Sequence, residues 1–258
     1  MNAFSPKLGR LKSKPDPRTL NLRDYLLTPA TTLPALPPSA DWTPAVKVPW
    51  GMLANDQVGD CVIAAAAHML MQWRWNAGAP FIPTDLQVLA DYSAVTGYIP
   101  NDPSTDNGTD PLTALKRWKN VGFCTGHKLG GFVATQATRQ KEIQYAIALM
   151  EGSYIALALP IAAQNMTAWD IPPGQQLVGD WEPGSWGGHM VEAPKYDEHG
   201  VWVVTWGALK FVSWAFLAAY CDESFALIST DMLNGTQRSP LGLDIKTLGA
   251  DLQALAKS

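Results

Sequence analysis

The sequence is short of charge, of histidine and of cysteine, and each shortage narrows the functions open to it. Only 16% of its 258 residues are Asp, Glu, Lys or Arg, and the formal net charge is −4. A chain so weakly and negatively charged carries no basic footprint for nucleic acid. Its four histidines and three cysteines are scattered without zinc-ligand spacing, so neither a metal site nor any other cofactor is expected. Cys61, Cys124 and Cys221 leave at least one thiol unpaired and make no disulfide framework, which fits a reducing or neutral compartment. No uninterrupted apolar run reaches transmembrane length, and Met1-Asn2-Ala3-Phe4-Ser5-Pro6-Lys7 holds no apolar leader core. No membrane partner is expected, and the expected location is cytoplasmic or virion-associated. Internal repeats and coiled-coil heptads are absent as well.

What the sequence does have is apolar and aromatic mass. Apolar residues make up 47% and tryptophans number 11, enough for a substantial core in one domain or two packed lobes. Residues 1–38 are dense in proline, which excludes long helices and central strands, so an extended N-terminal arm is expected. Within it, Asn21 to Leu27 fits one helical turn or a short strand. Helical periodicity then predicts helices over Cys61–Asn76, from Asp85, and over Leu112–Lys119, with Gly78 and Gly122 as stops. From Gly130 the pattern turns to strands: Gly130–Ala134, Ser153–Pro160, a hairpin built from His189–Ala193 and Val201–Trp206, and Ser224–Ile228. Helices over Gln140–Met150 and Ser213–Tyr220 interrupt them. An amphipathic helix over Asp244–Lys257 follows. Early helices and late strands predict an α+β chain divided as residues 1–38, 39–129 and 130–258: arm, helical lobe with the nucleophile helix, and β-rich lobe with a C-terminal helix.

The stretch that organises the rest is Leu53-Ala54-Asn55-Asp56-Gln57-Val58-Gly59-Asp60-Cys61, followed by an alanine-rich helix. Asp56 and Asp60 are suitable caps for a helix that begins at Cys61. A thiol at a helix N-terminus feels the positive end of the dipole, which favours the nucleophilic thiolate. Free cysteines are also among the most buried residues, so a plain core role is the alternative. A reactive thiol needs a base. His189 follows Gly187-Gly188 and opens an apolar strand, where an imidazole has little packing purpose. His68 lies about two turns along the same helix, too far to serve. His127 and His199 sit in polar turns.

In these segments the chain resembles the papain-like cysteine peptidases in their bacterial or phage-borne form. Leu36-Pro37-Pro38-Ser39-Ala40-Asp41-Trp42 is similar to the family's mature N-terminus, and Asn55–Ala64 to its oxyanion and nucleophile segment. Asn107-Gly108-Thr109-Asp110 is similar to a segment of its bacterial members. Gly188-His189-Met190-Val191 is similar to its histidine strand, and Val204-Thr205-Trp206-Gly207 to its Asn-Ser-Trp-Gly segment. The resemblance covers roughly residues 36–230. It implies a papain-like two-lobe fold, a helical lobe plus an antiparallel β-barrel-like lobe, with the site in the cleft. It also implies a thiol hydrolase in which Cys61 attacks a peptide or amide carbonyl of a peptide or protein substrate and His189 moves the proton. The oxyanion donor is Asn55 in an ungapped alignment, or Gln57 if two residues are deleted.

The sequence departs from the family at the residue that orients the histidine. Anchoring on Trp206-Gly207 puts Val204 at that place, and valine cannot hydrogen-bond an imidazole. Thr205 can, if the strand register slips by one; Asp197 and Glu192 are further options. The departure keeps a second reading open, a catalytically impaired papain-fold protein. It would serve as a structural or binding component, for instance of a phage particle, with the arm contacting a virion or other protein partner. Amidase or transpeptidase work by the same pair is a third.

Overall fold

The computed structural model describes residues 6–23 and 35–232. They form five α-helices and an antiparallel sheet of seven strands, joined by turns and short 3-10 helices. The elements are β1 (Ala40–Asp41), α1 (Cys61–Asn76), α2 (Asp85–Thr96), α3 (Pro111–Asn120), β2 (Leu129–Thr135), α4 (Gln140–Met150), β3 (Ser153–Leu159), β4 (Gly187–Tyr196), β5 (Gly200–Thr205), β6 (Ala208–Ser213), α5 (Trp214–Tyr220) and β7 (Cys221–Ser229). The sheet runs β2-β7-β3-β4-β5-β6, and β1 adds to β4. The chain is therefore α+β, with a helical lobe and a sheet lobe. The amphipathic stretch Asp244–Lys257 and the residues from Asp24 to Leu27 lie outside the described residues.

The helix α1 is the axis of the core. Every residue from Cys61 to Trp73 is buried, so this helix has no solvent face for its first three turns. Its run of four alanines presents small side chains, which lets α1 lie close against β4. Tyr154 of β3 reaches across to donate its hydroxyl to the carbonyl of Val62, fixing the first turn of α1 to the sheet. On the far side Trp73 stacks on Trp118 of α3 at 5.8 Å between ring centres. Capping defines the neighbouring helices. Thr84 and Gln87 form a reciprocal capping box at the start of α2, and Asp110 caps α3 ahead of Pro111. At α1 the expectation of a side-chain cap is not met, since Asp60 makes none and takes a different partner.

The strand β6 is one that the sequence pattern does not predict. It pairs with β5 in continuous register from Gly200↔Ser213 to Thr205↔Ala208. Only Trp206 and Gly207 connect the two strands, and both have positive φ, 44° and 75°. That is the backbone of the tightest hairpin turns, in which tryptophan is a poor resident and costs about 1–3 kcal/mol. The surrounding sheet imposes it, and the result is to set the Trp206 indole at the mouth of the cleft.

Candidate active site

Three elements converge at the N-terminus of α1. The first is the turn before the helix. Leu53 and Ala54 adopt left-handed backbone, with φ of 54° and 67°, which folds the chain tightly enough to bury Asn55 and lead into Cys61. The second is β4, which carries His189 in register opposite Leu157. The third is the β5–β6 turn with Thr205 and Trp206. Asn55, Cys61, His189, Thr205 and Trp206 line one small cavity of about 10 Å³, room for about one water. His68 lines it too, from one side of α1, with Nε2 at 3.1 Å from the Gly51 carbonyl.

His189 is held from two directions. Its Nε2 lies 2.8 Å from the Thr205 hydroxyl, and its ring stacks on Trp206 at 4.4 Å between centroids with planes 14° apart. Trp169 meets both rings edge-on. Nδ1 is buried with no hydrogen-bond partner among the described residues. If Nε2–H donates to Thr205, Nδ1 is left as the unprotonated nitrogen, the form able to take a proton. Of the two adjacent residues, Thr205 and not Val204 is the one whose side chain meets the imidazole. Val204 is buried beside it and contributes only packing. Glu192 and Asp197 are elsewhere: Glu192 is buried further along β4, and Asp197 closes the β4–β5 turn with its carboxylate on the amides of His199 and Gly200.

The two oxyanion options separate. Asn55 is buried at the cavity, but its amide nitrogen is already engaged, 3.0 Å from Asp60 Oδ1 and 3.3 Å from the Val58 carbonyl. Gln57 is exposed and does not line the cavity.

One feature that the sequence left unassigned dominates the cleft. Residues 7–11 of the arm lie in it, bonded to both walls. The Lys7 amide donates to the Asn55 carbonyl at 3.2 Å, and the Trp206 indole donates to the Lys7 carbonyl at 3.2 Å. The Arg10 amide donates to the Gly188 carbonyl at 3.1 Å. Leu11 and Gly9 bracket Thr109 in a parallel bridge, with bonds of 2.9 and 3.0 Å. Glycines permit this approach. A Cβ on Gly9 would stand 1.7 Å from the Gly59 carbonyl oxygen, and a Cβ on Gly188 would stand 2.1 Å from the Arg10 oxygen. The sequence signal was present in Leu8-Gly9-Arg10, but nothing local says that Gly9 faces Gly59 and Gly108 or that Arg10 faces Gly188.

Burial reverses the expected electrostatics of the thiol. Burial pushes Cys61 up to about 12, against the lowering effect of backbone bonds from Met190 and Gly9 and of the nearby Arg10 charge; the Asp60 carboxyl adds to the rise. Burial likewise depresses His189 to about 3, helped by the charges of Arg10 and Lys210. With the arm seated, the neutral thiol and neutral imidazole are favoured, and the dipole of α1 is outweighed by desolvation. Cys124 and Cys221 are also raised to about 12 by burial.

No family model and no curated protein sequence matches the chain. Solved structures do. Xylellain, a cysteine protease from Xylella fastidiosa, superposes with a TM-score of 0.64 at 13% identity, over 87% of this chain and 96% of that one. Procathepsin B S9 from Trypanosoma congolense gives 0.55 at 10% identity, over 86% of each chain. The Carica candamarcensis cysteine protease CMS1MS2, solved in complex with E-64, gives 0.52 at 16% identity, over 75% of this chain and 99% of that one. The chain thus has the papain-like fold, the fold of these cysteine proteases.

Proposed function

We propose that the protein is a thiol hydrolase of peptide or amide bonds, held closed by its own arm. The observation that carries this reading is the grouping of Cys61, His189 and Thr205 around one cavity at a helix N-terminus, beneath residues 7–11 of the arm. With the arm displaced, water and the helix dipole favour transfer of the Cys61 proton to His189 Nδ1, and Thr205 accepts from Nε2–H to hold the ring. The thiolate attacks the carbonyl carbon. The Cys61 amide, together with the Asn55 side chain once it leaves Asp60, stabilises the oxyanion. His189 then protonates the leaving amine, and water releases the acyl group from sulfur. Trp206 covers the imidazole and keeps water from its face.

The test is hydrolysis of a mixed panel of fluorogenic peptide amides by a Gly9→Ala chain, in which the arm cannot seat. Turnover that disappears with Cys61→Ala supports the reading; no turnover on any substrate contradicts it.

A second reading draws on the same arm. Its bonds to both walls, and the engagement of Asn55 with Asp60, describe a sealed cleft. A sealed papain-like fold can serve as a structural or binding component, of a virion or of another assembly. In that case Cys61→Ala leaves partner binding intact and the Gly9→Ala chain stays inert.

A further inference from the structure

Arg10 is the deepest-set side chain of the arm. Its side chain is 2% exposed, and its Nη2 lies 2.9 Å from Asp222 Oδ2 at the start of β7. Nη1 leans on the Leu11 carbonyl at 3.4 Å, and Nε is buried without a partner among the described residues. Glu223 adjoins the pair, with Oε2 buried and unpartnered among the described residues. Burial raises Glu223 to about 7, and the Arg10 charge works against that rise. Asp222 and Glu223 also border two open cavities of about 370 and 170 Å³, so the acidic wall continues past the guanidinium. This wall adjoins the candidate site. The Arg10 backbone bonds Gly188, the neighbour of His189, and the preceding residue, Gly9, touches the Cys61 thiol.

Removing Arg10 from this place leaves two carboxylates side by side with no cation between them. Repulsion and desolvation then penalise any neutral or acidic replacement, while a guanidinium restores the pairing. Arginine fits better than lysine, because its fork offers several donors to two carboxylates from one planar group. The missing Cβ of Gly188 keeps the entrance open, since a Cβ there would stand 3.0 Å from Arg10 Nε.

We propose that Asp222 and Glu223 form a guanidinium pocket beside Cys61 that selects peptides carrying an arginine close to the bond attacked, with Arg10 as its resident occupant while the arm is seated. The proposal rests on the thiol-hydrolase reading for its substrate, but the pocket itself can be tested apart from turnover.

The experiment uses the full chain carrying Arg10→Glu, which empties the pocket and repels the arm. Two probes are synthetic fluorescent peptides identical except for arginine or norleucine at one position. Cleavage of each is measured by kcat/KM, and binding of each to the Arg10→Glu, Cys61→Ala chain by fluorescence anisotropy. The expected result is a preference for arginine of at least about tenfold, cancelled by Asp222→Asn chiefly through loss of kcat/KM and affinity for the arginine peptide. Asp222 is partly exposed and the change is isosteric, so the fold is retained. Equal cleavage of both peptides overturns the pocket and leaves the hydrolase standing. Selective binding of the arginine peptide without cleavage, lost in Asp222→Asn, sustains the pocket and refutes the hydrolase. Equal binding without cleavage overturns the pocket too.

Discussion

At the scale of single residues, the account turns on Thr205. A hydroxyl can accept from Nε2–H, and in that tautomer the one bond of 2.8 Å holds the ring with Nδ1 free to take a proton. Thr205→Val keeps the shape, removes the oxygen and leaves a buried ring nitrogen unsatisfied. In a chain with the arm displaced, we expect kcat to fall by at least about a hundredfold, because the wrong tautomer and ring angle become populated. Val204→Asn is expected to change kcat by less than about threefold, a barrier change under ~1 kcal/mol, since that side chain only packs. Steady-state kinetics on one fluorogenic peptide checks both. Comparable losses in the two variants would remove Thr205 from its role. The sequence made Cys61 and His189 legible because each interrupts a local pattern, a thiol at a helix start and an imidazole at the head of an apolar strand. It left Thr205 open against Val204. Which of two adjacent strand residues faces the imidazole is settled by the β5–β6 turn, and a two-residue turn through Trp206 is not what tryptophan favours.

At the scale of elements, the arm and the strand ends explain why the site is closed. Gly9 passes where Gly59 leaves no room for a Cβ, and Gly108 is equally near from the other side, its own Cβ position 1.9 Å from the Gly9 oxygen. Gly9→Ala therefore unseats residues 7–11 without touching the body of the protein. Hydrogen exchange should report it directly. The amides of Arg10 and Leu11, bonded to Gly188 and Thr109, should exchange at least about tenfold faster in the variant, with the amides of α1 unchanged. Unchanged protection at Arg10 would mean that the arm is not held through the glycines. Most helices and strands were legible in sequence because their periodicity and caps are local: α1 and α4 begin and end where alanine content, apolar spacing and breakers place them, and β3 begins at Ser153 as expected and stops one residue before Pro160. The strand β6 was not, because Ala208-Leu209-Lys210-Phe211 shows little alternation. The course of the arm was not either, because its partners come from Asn55, Thr109, Gly188 and Trp206, far apart in the chain.

At the scale of the whole molecule, two carboxyls buried between the lobes shape the response to pH. Glu151 and Glu192 are both fully buried, and none of their carboxylate oxygens has a hydrogen-bond partner among the described residues. Burial raises Glu151 from 4.5 to about 8 and Glu192 well above the usual carboxylate range, the latter also through the neighbouring Glu151. Folded-state values above the unfolded ones mean that the native protein binds more protons. Their contribution to stability is then full below about pH 4.5 and is lost as the pH rises through about 8. Urea midpoints at pH 5 and pH 9 should show the loss, and Glu151→Gln should shrink the difference by on the order of a few kcal/mol, since it removes one titration and the repulsion felt by Glu192. A protein equally stable at both pH values, or a variant with an undiminished difference, would contradict this.

The overall claim, that Cys61 is a nucleophile activated by His189 and silenced by the arm, belongs to the same scale, because it joins both lobes and the N-terminus. A brief iodoacetamide pulse at pH 7, followed by mass spectrometry of each cysteine, tests it most directly. In the wild-type chain Cys61 should label as slowly as Cys124, both thiols being buried and raised. In the Gly9→Ala chain Cys61 should label at least about tenfold faster than Cys124 or Cys221, and adding His189→Ala should abolish the advantage. If Cys61 in the Gly9→Ala chain labels no faster than the other two, or keeps its advantage without His189, the paired thiol and imidazole are not a catalytic couple.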